Sequence, residues 1–456
     1  MLRQLLRKKS VTNENSSDLN CVLTAFDLTL MGIGAIIGAG VFVLTGIAAA
    51  TKAGPAVVFS YALAGLTCMF AALAYAELAA SIGGTGSAYS YAYSGFGELM
   101  AWIIGWDLLL EYTMSVTTVA IGWSGYVNNL LQALHIHLSP AFTSNPFDGG
   151  VINLLAVTVV LLLALLLCIG VKLSAHFNAF VVLIKLVTIS VFVAVAALNI
   201  QVHYWDNFFP FGWTGIVDGA ALVFFAYIGF DALSTAVEET VYPQRNVPIG
   251  IIASLIICTA IYILVSGLLT GIVPYTSLNN QSPVAQALLN IGYRITSGLI
   301  AAGAVAGLTT VMLVMYYGLT RICLAITRDG LLPTGFARVN TYTRTPIRII
   351  LFTGILMATI AGFAPIHRAA EMVNIGTLAA FIFVCAGVIV LRVRYPDMPR
   401  PFKLPFSPFF PLLGILFCFY LMIHLPSITW LRFVIWMMIG FPIYFFYSRH
   451  HSKLAV

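Results

Sequence analysis

A glycine-rich stretch inside an apolar segment is the first feature of the sequence that could bind a ligand. The run from Gly32 to Gly40 holds four glycines in nine residues. Because glycine costs about 1 kcal/mol relative to alanine inside a helix, this density predicts an unwound segment, with close helix packing as the alternative explanation. Where a helix resumes, its free N–H groups, here around Ala39 and Gly40, form a positive end that suits a carboxylate.

A second apolar segment is interrupted by polar residues. The run from Phe224 to Ser234 contains Gly229 and Asp231. An interrupted helix leaves carbonyl groups without partners, and such oxygens suit an ammonium group. The carbonyls concerned belong to Phe225, Ala226, Ile228 and, from the first stretch, Ile36. Together the two stretches predict a clamp for the zwitterion of an α-amino acid.

The composition indicates where such a clamp would lie. Only 8% of the 456 residues are charged, 60% are hydrophobic, and the mean hydropathy is +0.98. Soluble domains carry about 25% charged residues, so a soluble protein is excluded. Six of the seven cysteines lie in apolar runs and none forms a CxxC pair. We therefore expect small buried cysteine side chains, with neither a disulfide framework nor a metal site.

Apolar windows predict an all-helical, polytopic membrane protein with twelve spans. The hydrocarbon core of a bilayer needs about 20 apolar residues for each helical crossing. The predicted spans lie at 24–50, 56–80, 97–127, 151–170, 175–199, 216–236, 247–273, 294–326, 346–364, 369–391, 408–425 and 430–448.

The distribution of positive charge predicts the orientation of these spans. If the N-terminus lies in the cytoplasm and the spans alternate, 17 Lys and Arg fall in cytoplasmic segments, four fall outside and Lys185 lies within a span. Cytoplasmic loops carry the basic excess in membrane proteins. We expect a multi-pass protein of the cell membrane, inner or plasma, with both termini in the cytoplasm. The net charge of +6 is then a topology signal and not a nucleic-acid surface.

Several motifs together resemble one family of transporters. The stretches 32–46, 224–239 and 327–333 resemble the amino acid–polyamine–organocation (APC) superfamily. The stretches 105–112 and 122–126 are more narrowly similar to its cationic amino acid transporter (CAT) branch. The resemblance is to the bacterial twelve-helix form, since animal members carry two further C-terminal spans.

This resemblance implies the fold of the bacterial leucine transporter, with a 5+5 inverted repeat, two accessory helices and alternating access. The implied boundaries are a cytoplasmic tail at 1–23, repeats at 24–199 and 200–391, a connector with accessory helices at 392–448, and a tail at 449–456. It also implies that Gly38, Ala39 and Gly40 bind the substrate carboxylate. Phe225, Ala226 and Ile228 would bind the amine, and Phe225 would close over the substrate.

Lys185 lies about ten residues from either end of its predicted span. A charge in the middle of a membrane is costly and indicates function, with permanent bonding to backbone carbonyls as the structural alternative. Removal from water disfavours a charged amine, so this side chain could release and rebind a proton during transport. In proton-coupled members of the resembled family a lysine in this helix replaces a sodium ion. The resemblance therefore implies proton coupling by Lys185, which would brace helices 1 and 8.

Three carboxylates and a methionine are further candidates for the site. Glu111 lies one turn after Asp107, and Asp231 lies in the interrupted segment. Each could bind a cationic side chain, pair with the membrane lysine or hydrogen-bond between helices, and Glu111 and Asp231 are the candidates for lining the site. Met315 either packs in the core or limits the length of the substrate side chain. Glu77 is expected to cap a helix at the membrane interface.

We expect a secondary transporter that imports amino acids with protons, without covalent chemistry or cofactors. An amino acid or amine exchanger of the same fold is the alternative. A membrane enzyme would need a catalytic constellation near one interface, and a channel would need a filter ring. The expected partners are the amino acid substrate, protons and the lipid bilayer, with no nucleic acid. The choice between cationic and small neutral amino acids stays open.

Overall fold

The protein is built from helices, as the composition predicts. The computed structural model describes residues 23–82, 88–170, 175–231, 233–234, 240–340, 342–343 and 345–453. Within these ranges the extended pairing is a single isolated bridge between Leu23 and Thr240.

Most of the helices match the apolar windows of the sequence to within a few residues. In chain order, the helices of eight or more residues are α1 (Ala25–Ile36), α2 (Val57–Ile82), α3 (Ala88–Gly95), α4 (Glu98–Ala133), α5 (Leu154–Ile169), α6 (Ala175–Leu198), α7 (Gly212–Val223), α8 (Pro243–Ile272), α9 (Pro283–Asn290), α10 (Arg294–Arg328), α11 (Ile347–Phe363), α12 (Ile366–Arg394), α13 (Phe409–Ile423) and α14 (Ser427–Ile443).

Within the described ranges, seven helical stretches are long and apolar enough to cross a membrane. They are Gly40–Ser81, Glu98–Ala133, Ala179–Leu198, Pro243–Ile272, Arg294–Arg328, Ile366–Arg394 and Ser427–His451. Shorter apolar helices occupy Ala25–Ile36, Leu154–Ile169, Gly212–Tyr227, Ile347–Phe363 and Phe409–Ile423. The chain is therefore a multi-pass membrane protein, and the count of twelve spans stays a prediction.

Local sequence signals begin and end these helices. Thr24 caps α1, because its hydroxyl accepts from the Asp27 N–H while the Asp27 carboxylate accepts from the Thr24 N–H at 2.9 Å. Proline at position 243 opens α8, where the missing N–H costs no helical hydrogen bond. Gly97 precedes α4 with φ of +106°, a conformation that favours glycine.

The long helices α4 and α10 form the centre of the packing. They run antiparallel, since the Trp123 indole donates to Thr309 Oγ1 at 2.9 Å while Tyr112 lies against Gly318. The helix α12 packs on α4, α8 packs on both α1 and α2, and α6 packs between α1 and α10. The outer surface exposes many large apolar side chains, including those of Leu198 and Phe446, as lipid contact requires.

Glu77 corrects one sequence expectation, because it does not cap an exposed helix end. It lies at 2% exposure near the end of α2, where both its oxygens accept from the Arg392 guanidinium, at 2.8 and 2.5 Å. The Leu404 N–H donates to the same carboxylate at 2.7 Å, and Arg400 lies 3.7 Å away. This network ties α2 to the end of α12 and to the connector before α13.

A second buried carboxylate, Glu98, anchors the C-terminal segment. It accepts from Ser452 at 2.6 Å, from Tyr444 at 3.2 Å and from Tyr93 at 3.4 Å. The Lys453 N–H donates to the Asp329 carbonyl at 3.1 Å. The end of the chain is thus joined to α3, α4 and the loop after α10.

Candidate substrate-binding site

The first helix is broken at the C-terminal end of the glycine-rich run, and its residues from Gly32 to Ile36 stay helical. The helix α1 ends at Ile36, Ile37 is extended with φ of −71° and ψ of 103°, and helical structure resumes with a π-helical turn at Gly40–Leu44. At Gly40 a side chain would collide with the Cα and Cβ atoms of Ala226. Glycine is required here because the two interrupted segments approach each other through it.

The second broken segment follows α7. Its helix tightens to a 3₁₀ turn at Phe224–Tyr227, and Ile228 is extended with φ of −65° and ψ of 137°. Gly229 has φ of +120°, and a Cβ there would lie 2.9 Å from the Ala35 carbonyl oxygen. The Gly229 N–H donates to Asp231 Oδ1 at 3.1 Å. The break therefore depends on a glycine that passes close to the end of α1.

Tyr262, on α8, links the two breaks and was missed by the sequence analysis. Its hydroxyl lies 2.8 Å from the Ile36 carbonyl oxygen and 2.9 Å from the Ala226 carbonyl oxygen. Since a hydroxyl carries one proton, the two acceptors share this donor. A tyrosine in the middle of an apolar span is the signal that could have found it. Its ring packs against Tyr61 with centroids 5.3 Å apart, and Tyr61 itself donates to the Gly40 carbonyl at 3.0 Å.

Lys185 lies at 1% exposure beside the end of α1. Its Nζ donates to the Gly34 carbonyl at 2.6 Å and to the Ile37 carbonyl at 2.9 Å. The Gly34 carbonyl belongs to the last turn of α1 and the Ile37 carbonyl to the residue that follows the helix, at its negative end. The helix α10 contacts the aliphatic stem instead, because a Cβ at Gly307 would lie 2.9 Å from Lys185 Cε. In the described geometry the ammonium therefore binds the end of α1, while α10, which corresponds to the eighth predicted span, contacts the aliphatic stem.

A narrow cavity lies between the broken segments and the long helices. Its volume is about 10 Å³, the room for about one water molecule, so a bound amino acid needs the walls to move apart. It is lined by Ala35, Ile36, Gly38, Ala39, Gly40, Ser115, Val119, Phe225, Ile228, Val311 and Met315. Of the sequence candidates, Ile36, Gly38, Ala39, Gly40, Phe225, Ile228 and Met315 are among these residues.

The remaining candidates lie outside the cavity lining. Ala226 packs behind Gly40, with its carbonyl bonded to Tyr262. Glu111 and Asp231 are buried, at 2% and 8% exposure, and do not line the cavity. Glu111 lies one turn after Asp107 on α4, and the Tyr112 hydroxyl donates to Asp231 at 3.3 Å.

Comparison with known proteins shows the family of the chain. A family model described as amino acid permease matches residues 23–446. The methylthioribose transporter of Bacillus subtilis is 46% identical over 99% of this chain and 100% of its own length. The branched-chain amino acid permease BcaP of the same organism is 46% identical over the whole of both chains. The vacuolar cationic amino acid transporter 4 of Arabidopsis thaliana is 30% identical over 99% of this chain and 97% of its own.

These similarities extend over nearly the whole sequence and name transporters throughout, so the protein is a transporter and not an enzyme. The chain belongs to the amino acid permease family of the APC superfamily and is similar to its CAT branch.

Proposed function

We propose that this permease imports a neutral amino acid together with a proton, by alternating access. The observation that carries the proposal is the meeting of two helix breaks at Gly40 and Ala226, with Lys185 bonded to the end of α1 beside them. The backbone clamp would bind the amino acid, and Lys185 would carry the proton that is transported with it.

The clamp would recognise the two groups that all α-amino acids share. N–H groups of Gly38, Ala39 and Gly40 lie where the helix resumes, and the first N–H groups of a helix lack intrahelical acceptors. They would donate to the carboxylate, which the positive end of the helix favours. The carbonyls of Phe225, Ala226, Ile228 and Ile36 would accept from the ammonium. Each carbonyl has two lone pairs, so those already bonded to Tyr262 keep one for the substrate. The Phe225 ring would close over the bound molecule.

A neutral substrate fits the cavity better than a cationic one. The lining side chains are apolar apart from Ser115, and the carboxylates of Glu111 and Asp231 lie outside the lining. The same wall offers few hydrogen bonds to a polyhydroxylated molecule, which favours a neutral amino acid over the cargo named for the methylthioribose transporter.

Lys185 would couple the proton to the movement of α1. While protonated, it donates to two carbonyls at the negative end of that helix. After losing the proton, the neutral amine attracts these carbonyls less strongly, and the end of α1 is free to move. Sodium is not required in this scheme, since the ammonium supplies the positive charge.

We extend the proposal to the architecture. Twelve spans would divide into inverted repeats at 24–199 and 200–391 and accessory helices within 392–448, and each repeat would begin with a broken helix. Two observations support this division: the breaks follow α1 and α7, and the short apolar helices complete the set of predicted spans. The basic residues favour a cell membrane location with both termini in the cytoplasm.

Uptake into proteoliposomes tests the function. Labelled valine or isoleucine should accumulate in sodium-free buffer under an inward proton gradient, and a protonophore should abolish the accumulation. One proton moved through 100 mV supplies about 2.3 kcal/mol, an accumulation ratio of about fifty for one-to-one coupling. The Lys185→Ala protein should lose accumulation but keep substrate binding. Entry only into vesicles preloaded with amino acid, regardless of the gradient, would instead establish exchange.

A further inference from the structure

The polar side chain of Ser115, at the cavity, lacks a hydrogen-bond partner in the described part of the chain. Ser115 is 2% exposed, lies on α4 and lines the cavity. Among the described residues its hydroxyl has no hydrogen-bond partner. A buried hydroxyl without a partner is unfavourable, and such groups in native structures call for an explanation. One explanation is that a bound substrate supplies the missing hydrogen-bond partner.

The register of the two long helices places Ser115 at one end of the cavity. The pairs Trp123–Thr309 and Tyr112–Gly318 show that residue numbers fall on α10 as they rise on α4, so Ser115 lies level with Met315.

The backbone clamp lies toward the other end. Gly38 faces Val311, one turn of α10 away from Met315, since a Cβ at Gly38 would lie 3.3 Å from Val311 Cγ2. The four residues from Val311 to Met315 correspond to about 6 Å along the axis. A carboxylate held at Gly38 would therefore direct the substrate side chain, and not its backbone groups, toward Ser115.

We propose that Ser115 is a specificity-determining residue whose hydroxyl bonds to a hydroxyl on a short, neutral substrate side chain. A hydrogen bond spans about 3 Å, so it bridges from Ser115 to the first side-chain oxygen of a clamped amino acid. Serine should then be favoured over alanine, and threonine over valine. Each pair is close in shape and differs in the side-chain hydroxyl. This inference rests on the proposed function, because it assumes the amino acid clamp.

The test compares threonine and valine binding to purified full-length protein in detergent. The ratio of the valine Kd to the threonine Kd is measured for wild type, Ser115→Ala and Thr118→Ala. Thr118 is a matched control because its buried hydroxyl, three residues further along α4, donates within the helix to the Met114 carbonyl at 2.8 Å. Loss of one neutral hydrogen bond should lower the ratio about two- to tenfold in Ser115→Ala, with no change in Thr118→Ala.

An unchanged ratio in a folded Ser115→Ala protein would overturn the inference. If Ser115→Ala does not elute as a single species from a size-exclusion column, Ser115→Cys is measured instead. Because a thiol is a weaker donor than a hydroxyl, its Kd ratio should then be lower than that of wild type. Absence of binding by every amino acid to both wild type and Thr118→Ala is a different result. It would refute the proposed function and, with it, this inference.

Discussion

Replacement of Tyr262 by phenylalanine tests whether the two helix breaks form the amine site. The substitution removes the hydroxyl and leaves the ring in contact with Tyr61 and with Tyr227, whose centroid lies 5.4 Å away. The carbonyls of Ile36 and Ala226 then lose their shared donor. An unsatisfied buried polar group costs about 1 to 3 kcal/mol, so the free energy of unfolding should fall by about that amount.

Substrate should restore part of this loss. In the proposed site the ammonium of a bound amino acid donates to the same carbonyls, so it replaces the missing hydroxyl in Tyr262→Phe. We expect a recovery of about 1 kcal/mol, equivalent to binding about fivefold tighter than in wild type. The assay is the shift in apparent melting temperature on saturation with valine, together with the Kd.

Tyr316→Phe provides the matched control. Tyr316 is also fully buried on a long helix, and its hydroxyl donates to the Ile350 carbonyl at 2.5 Å, away from the cavity. This variant should be destabilised without additional recovery on substrate addition. Equal ligand-induced shifts in wild type, Tyr262→Phe and Tyr316→Phe would refute the amine site at these carbonyls.

Three further substitutions test the backbone clamp at Gly40, the cavity wall at Met315 and the ion pair of Glu77 with Arg392. Gly40→Ala should weaken amino acid binding more than tenfold, because its Cβ collides with Ala226, whereas Gly298→Ala, which meets nothing within 4 Å, should bind normally in the same titration. Met315→Ser should strengthen competition by lysine against labelled valine, and an unchanged competition order would assign that methionine to packing alone. Glu77→Gln should lower the free energy of unfolding by about 2 to 4 kcal/mol, since it leaves a partly buried arginine without its counter-ion, and an unaltered melting curve would contradict this.

The positions of the helices were predictable because membrane thickness constrains them. Span 294–326 corresponds to Arg294–Arg328, and span 175–199 corresponds to Ala175–Leu198. Apolar windows do not detect α3 or α9, since these short helices contain too few consecutive apolar residues. Their stability depends on packing, which no local window contains.

The presence of helix breaks was also predictable, whereas the side chains that bond to them were not. Glycine density predicts a break within 32–40, because backbone preference is a local property, and the structure has the break at Ile37. The bond from Tyr262 to two carbonyls depends on how α8 crosses both breaks, and the Glu77–Arg392 pair joins residues 315 positions apart. Such pairings are decided by tertiary packing. That the Ser115 hydroxyl finds no partner among the described residues is likewise visible only when its neighbours are known.

The cavity is lined partly by backbone atoms and partly by side chains, and this difference has an evolutionary consequence. In the proposed site, the groups that every amino acid shares would face backbone atoms of the broken segments. Side chains come instead from two unbroken helices, at Ser115, Val119, Val311 and Met315. Backbone contacts survive most substitutions, while side-chain walls change with each one. In this proposal, substrate preference can diverge through a few replacements on α4 and α10. The broken segments after α1 and α7 would stay unchanged. Relatives of equal identity that are named for methylthioribose and for branched-chain amino acids are what such an arrangement would produce.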